Sequence, residues 1–192
     1  MRTFFVVVVL LGLLSFPVMA QDNPKAEVFG GWQYQHLGGS GLSVNIPEGW
    51  DASVTGNINK HFGVTGDFSG SYKSETVTTE GVTASGSAHL YTYTGGPVVA
   101  MDFGGKINPF AHALFGGFTV GGSASGCITG GGCASGSAST NGYTVMAGGG
   151  VDAKVAKSIA IRLAQFDWIY YHANGGSIKS NVRIASGVVF RF

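Results

Sequence analysis

Residues 49–60 alternate without error between two kinds of side chain. Trp50, Ala52, Val54, Gly56 and Ile58 share one parity, and Asp51, Ser53, Thr55, Asn57 and Asn59 share the other. Residues 62–73 do the same: Phe62, Val64, Gly66, Phe68, Gly70 and Tyr72 oppose Gly63, Thr65, Asp67, Ser69, Ser71 and Lys73, so every charge again falls on one side. Successive side chains of a β-strand point to opposite faces, whereas a helix would spread this pattern around its axis. Both runs are therefore two-sided strands, and with only Asn59, Lys60 and His61 to join them they form a tight antiparallel hairpin.

The same reading outward gives six more strands. Residues 25–36 set Ala26, Val28, Gly30, Trp32 and Tyr34 against Glu27, Phe29, Gly31, Gln33 and Gln35. Residues 87–102 contain Pro97, which points to a bulge or locally weakened pairing. Residues 107–120 are apolar or small on both faces and leave open whether His112 faces inward or outward. Residues 143–153 and 178–192 alternate cleanly. Residues 158–172 break parity at Arg162, which is out of phase with Gln165 and Asp167, as a bulge or an arginine snorkelling at the rim would require.

Eight strands of this length exceed the roughly 5 or 6 residues of soluble strands and suit a membrane's thickness. The links between them alternate too. Residues 38–47, 74–86, 121–142 and 173–177 are mostly long and rich in Gly, Ser and Thr; residues 59–61, 103–106 and 154–157 are short and contain Lys. That asymmetry is expected of an outer membrane barrel, with long loops outside and tight turns in the periplasm. The expected fold is all-β: an eight-stranded antiparallel up-and-down transmembrane β-barrel over residues 21–192.

The first twenty residues read as an address. Arg2 precedes an apolar run over residues 4–16, and Ala20 stands before polar Gln21. The run is too short for a spanning helix of about 20 residues and reads as a signal peptide cut between Ala20 and Gln21. Composition agrees with export to a membrane. Charged residues make up 11% of the chain against about 25% in an average soluble domain, and 33 of 192 residues are Gly. An ordinary soluble enzyme is disfavoured. Eleven basic against ten acidic side chains, with no basic run, exclude nucleic acid as the expected partner.

Glu27, Asp51, Asp67, Lys73, Asp152, Asp167, Arg183 and Arg191 take the inward parity and are candidate lumen charges of mixed sign. An eight-stranded barrel is just wide enough to be filled by side chains, and buried charges there must be paired. Trp32, Tyr34, Trp50, Tyr72, Tyr91, Tyr93, Tyr143 and Phe192 fall near strand ends on the other face, as aromatic girdles do. Cys127 and Cys133, the two cysteines of an exported chain, are expected to form one disulfide that stiffens the longest loop by about 2 kcal/mol. His36, His61, His89, His112 and His172 are scattered, with His36, His89 and His172 at the outer rim as a polar collar. No nucleophile elbow, phosphate loop or metal-ligand spacing occurs, so no catalysis, cofactor or metal is expected.

Two other classes share these strands. A narrow porin-like channel for small solutes would have a wet lumen lined by the inward Gly, Ser and Thr. A soluble exported barrel of lipocalin shape would reverse the faces, apolar inside and polar outside.

The residues Trp50-Asp51-Ala52-Ser53-Val54-Thr55, Phe62-Gly63-Val64-Thr65-Gly66-Asp67-Phe68-Ser69-Gly70, Pro109-Phe110-Ala111-His112-Ala113-Leu114-Phe115-Gly116-Gly117 and Gly187-Val188-Val189-Phe190-Arg191-Phe192 resemble the outer membrane β-barrel domain family of small OmpA-like and opacity-protein-like barrels. The resemblance implies an outer membrane location, lipid as a partner, an external or periplasmic partner of unstated kind, and a structural or interaction role. It also implies that Phe190 and Phe192 are the C-terminal signal read by barrel-assembly machinery. The chain departs from members that carry an arginine where Val98 stands in strand four, which removes one familiar source of a lumen ion network.

Overall fold

The computed structural model describes residues 24–39, 42–79, 82–101, 105–128 and 130–192. The expected signal peptide and its Ala20–Gln21 junction lie outside them. Among the described residues every regular element is a strand: β1 (Ala26–Gly39), β2 (Leu42–Ile46), β3 (Glu48–Asn57), β4 (Phe62–Thr79), β5 (Val82–Ala100), β6 (Ile107–Ile128), β7 (Cys133–Ala156), β8 (Ile159–Ala173) and β9 (Gly176–Arg191). β1 pairs antiparallel with both β2 and β3, each strand from β3 to β9 pairs antiparallel with the next, and β1 also pairs with β9 from Glu27↔Arg191 to His36↔Val182. That last ladder closes an eight-stranded up-and-down barrel. The ninth element, β2, continues the β3 wall upward along β1.

Polar residues inside and apolar residues outside explain the closure. Asp51, Asp67, Asp152, Asp167 and Arg183 are buried, while Trp32, Val54, Phe62, Phe68, Phe115, Leu163, Phe166 and Phe190 are exposed on the outer wall. This is the reverse of a lipocalin-like barrel, and it overturns that alternative. In hydrocarbon every backbone N–H and C=O needs an internal partner, and a closed ladder supplies one.

Two irregularities re-aim side chains, and a third only interrupts a ladder. On β8 the register shifts between Arg162 and Gln165, which turns both residues inward, so the parity break marks a bulge and Arg162 is a buried lumen residue. Around Pro47 the pairing passes from Trp32↔Trp50 to Gln35↔Ile46 with one extra residue, which turns Ile46 inward. At Gly96 and Pro97 the β5–β6 ladder is interrupted without a change of register, because proline has no N–H to donate.

The long links differ most from expectation. Residues 74–86 and 121–142 were expected as loops, yet β4 and β5 pair out to Thr79↔Val82, and β6 and β7 out to Cys127↔Cys133. Residues 42–46 of the first link are strand as well. The period of two simply continues with weaker contrast, as in Ala84-Ser85-Gly86-Ser87-Ala88, Gly122-Ser123-Ala124-Ser125-Gly126 and Ala134-Ser135-Gly136-Ser137-Ala138. Rows run across four strands: Thr76, Ser85, Ser125 and Ser135 on one face, and Val77, Ala84, Gly126 and Ala134 on the other. The Ser/Thr face is tied by Thr76–Ser85, Thr78–Thr83 and Ser87–Ser123 hydroxyl bonds at 3.2, 3.3 and 2.8 Å.

Candidate functional site

The barrel offers two candidate functional regions, its lumen and the outer sheet above it. Lumen side chains form successive layers. Nearest the short turns, Arg162 donates Nε and Nη2 to the two Asp152 oxygens at 2.9 and 3.3 Å and Nη1 to Gln165 at 2.7 Å. Its guanidinium is sandwiched between the Phe29 and Phe110 rings at 4.3 and 4.2 Å. Arg191 bridges Glu27 at 3.1 Å and Asp152 at 3.5 Å.

In the middle layer Arg183, fully buried, donates Nη1 and Nη2 to Asp67 at 2.9 and 3.1 Å and Nε to Asp167 at 2.8 Å. Asp167 also meets His112 Nε2 at 2.7 Å and accepts from Gln165 Nε2 at 2.8 Å. His112 thus faces the lumen, which answers the question its strand left open. Asp51 lies 3.6 Å from Arg183 Nη1. The ion network that Val98 does not support is built from β9 and β8 instead, and Val98 is a buried apolar neighbour.

Above this, Gln33 Nε2 donates to Ser71 Oγ at 2.9 Å, Ser71 Oγ to Gln35 Oε1 at 2.9 Å, and Gln35 Nε2 to Tyr171 Oη at 2.7 Å. The outer layer is apolar. Leu90, Leu114, Phe118, Met146, Ile169 and Tyr171 pack into one buried cluster, with Leu37, Val120 and Ala173 against it. This cluster explains why residues 107–120 look apolar on both faces: Leu114 and Phe118 plug the lumen while Phe115 faces lipid. Lys73 keeps the inward parity but stands above the plug, paired at 2.9 Å with Glu75 on the surface, so it is not one of the buried charges.

Of the expected lumen set, Glu27, Asp51, Asp67, Asp152, Asp167, Arg183 and Arg191 come together below the plug. Sequence reasoning missed Arg162 and His112 as members; a parity break was the only signal for the first. On the outer wall Trp50 Nε1 donates to Tyr72 Oη and Tyr72 Oη to Tyr91 Oη, both at 3.2 Å. The rim histidines are separate: His36 meets Asn45 at 2.6 Å, His89 lies by Tyr91, and His172 stacks on Tyr143. Among the described residues no three His, Cys, Asp or Glu side chains are placed to share a metal ion.

The outer sheet stands where β8 and β9 have ended. β7 pairs with β8 only from Tyr143↔His172 downward, whereas its β6 pairing continues up to Cys127↔Cys133. Residues 133–142 are therefore an edge, with β6 on one side and, among the described residues, no strand on the other. Cys127 and Cys133 are joined by a disulfide at the tip. The inner face of the sheet, with Val44, Gly86, Ala88, Gly122, Ala124, Gly136 and Ala138, walls an open cup of about 830 Å³ above the plug.

A closed barrel with an apolar outer wall, a salt-bridged interior, short turns at one end and long hairpins at the other defines an outer membrane β-barrel protein. Its sequence agrees: the chain belongs to the outer membrane protein beta-barrel domain family, whose profile matches residues 6–192. Among solved structures it is similar to Ail, the attachment invasion locus protein of Yersinia pestis, at 16% identity and a TM-score of 0.59 over 88% of this chain and 99% of that one. The same Yersinia pestis protein in complex with the heparin analogue sucrose octasulfate aligns with a TM-score of 0.62 and 17% identity, over the same shares. Neisserial surface protein A aligns at 16% identity and a TM-score of 0.54, over 88% of this chain and 97% of that one. At these identities the likeness is one of fold. No curated protein matches the sequence.

Proposed function

We propose that this protein is a non-conducting outer membrane anchor whose working part is the four-stranded outer sheet, and that the edge of β7 takes up an extended segment of an external polypeptide. The observation that carries this reading is the loss of β8 above His172 while β7 continues to Cys133. A free edge offers a row of backbone N–H and C=O groups that only another extended chain can match. Natural edges are blunted by lysine, proline or bulges. Residues 133–142 have none of these: no charge, no proline and an unbroken register with β6.

The plug supports the anchor reading over the narrow channel, since Leu114, Met146 and Ile169 are at most 2% exposed and pack across the lumen. The chain has no catalytic role in this reading. Residues 1–20 act as the export signal, and Phe190 with Phe192 as the assembly signal. N-terminal sequencing of the mature protein is expected to begin at Gln21.

The test is selection of short peptides on the barrel held in lipid nanodiscs, with amide exchange as the readout. Selected peptides are expected to slow exchange along residues 134–141 and to lose binding to Ser137→Pro, which removes an N–H and widens the edge. Peptides that bind Ser137→Pro equally well, or no selected peptides at all, would refute the edge reading.

A further inference from the structure

We infer that the folded barrel binds one proton between Asp51 and Asp67, and that this proton exchanges with the periplasmic side alone.

Asp51 sits on β3 and Asp67 on β4, both facing the lumen, 1% and 2% exposed. Neither Asp51 oxygen has a hydrogen-bond donor. Arg183 cannot serve it: Nη1 and Nη2 are committed to Asp67 and Nε to Asp167, leaving Nη1 3.6 Å from Asp51, beyond hydrogen-bond reach. The two carboxyls nonetheless stand around one nitrogen, Arg183 Nη1, which lies 2.9 Å from an Asp67 oxygen and 3.6 Å from an Asp51 oxygen. Two ionised carboxylates in that position are two acceptors around one donor. A proton on Asp51 turns it into a donor, for which Asp67 is the acceptor on the same guanidinium nitrogen.

Charge points the same way. Around Arg183 stand three carboxylates, Asp51, Asp67 and Asp167, and the cations facing them are Arg183 from β9 and at most His112 from β6. β8 adds only Asp167 and neutral Gln165, β4 adds Ser69 beside Asp67, and β1 adds neutral Gln33, whose Oε1 is itself without a donor. One negative charge is left over even with His112 counted as a cation. A buried charge without a partner is neutralised rather than tolerated. A metal ion is a poorer answer, because these carboxylates do not converge on one point.

Access is one-sided. A cavity of about 80 Å³ lined by Asn57, Thr65, Asn108 and His112 opens at the short-turn end and reaches Asp67. On the other side stands the buried apolar cluster of Leu90, Leu114, Phe118, Met146 and Ile169.

Infrared spectroscopy of the whole barrel in oriented lipid vesicles tests this. At neutral pH a protonated carboxyl C=O band is expected, shifted in heavy water, absent in Asp51→Asn and retained in Asp152→Asn. Its intensity should follow pH on the short-turn side only. No such band in the parent protein, a band that survives Asp51→Asn, or one that follows the pH of the outer side would each overturn the inference. Urea unfolding gives a second readout. Asp51→Asn, which keeps a neutral donor in place, is expected to change the unfolding constant by less than about threefold, while Asp67→Asn, which breaks charge-assisted bonds, raises it by at least about tenfold. Equal losses in the two variants would overturn the assignment of the proton to Asp51.

Discussion

Replacing Arg183 with Met asks whether the middle layer holds the barrel together. The guanidinium makes three charge-assisted bonds to two carboxylates at 2.8, 2.9 and 3.1 Å. Each such bond contributes about 1.5–3 kcal/mol, and burying the cation itself costs several kcal/mol. What remains after Arg183 is lost is worse than either sum suggests, because Asp67 and Asp167 stay buried without their cation. Breaking a buried pair from one side costs about 3–5 kcal/mol, which is on the order of a hundred- to a few-thousand-fold in the unfolding constant. The assay is equilibrium urea unfolding in lipid vesicles, followed by fluorescence of the outward-facing Trp32, Trp50 and Trp168 and by the mobility shift of unheated samples on gels. A companion variant with Arg183→Met, Asp67→Asn and Asp167→Asn removes the charges together and is expected to recover most of the loss. If Arg183→Met unfolds within about 1 kcal/mol of the parent, the surface-like value for an ion pair applies and the layered-network account is wrong. If the triple variant is no better than the single one, the loss comes from a packing void and not from stranded charge.

Four shorter expectations follow from the same structure. The parent barrel should be silent in planar bilayers, whereas Leu114→Ser with Phe118→Ser should show small conductance steps; equal traces would show that the plug is not the seal. Leu114→Ala alone should cost about 2–5 kcal/mol, read in the same urea assay. Gly116→Ala would drive a methyl group into the Tyr93 carbonyl across the β5–β6 ladder, so folding in vesicles should lose about 1–3 kcal/mol of stability, whereas Gly66→Ala, where the added methyl meets open space, should lose far less. Cys133→Ser should leave the barrel's unfolding midpoint unchanged, because the disulfide ties only the hairpin tip, yet speed protease cleavage there.

What could be read from the residues was set by contrast between the two faces of a strand. β3 and β4 oppose Asp and Ser to Trp and Phe, so strand, hairpin and inward parity were all legible. In the outer hairpins Ser and Thr oppose Gly and Ala; the alternation is intact but carries little hydropathy, and the same composition describes a flexible linker. On β6 the plug makes the inward face apolar where lipid makes the outward face apolar, and His112 lost its bearings between them. Arg162 and Ile46 were illegible for another reason. A one-residue bulge reverses every later side chain on its strand, and whether a parity break is a bulge or a misplaced residue depends on the neighbouring strand. The partners within the lumen, such as Arg183 with Asp67 at a separation of 116 residues, follow from closure of the barrel and not from any local spacing.

The two-faced outer hairpin also sets how such a protein can change its length. Adding one residue to β6 alone would swap its serines with its glycines and alanines and pull Cys127 out of line with Cys133. Adding two to β6 and two to β7 keeps both faces and the tip disulfide, and moves the tip of the β7 edge farther from the membrane. Reach above the bilayer is thus a quantity that this architecture can adjust in even steps, by duplication of Gly-Ser and Ala-Ser pairs already in the chain, without disturbing the sealed barrel that holds it.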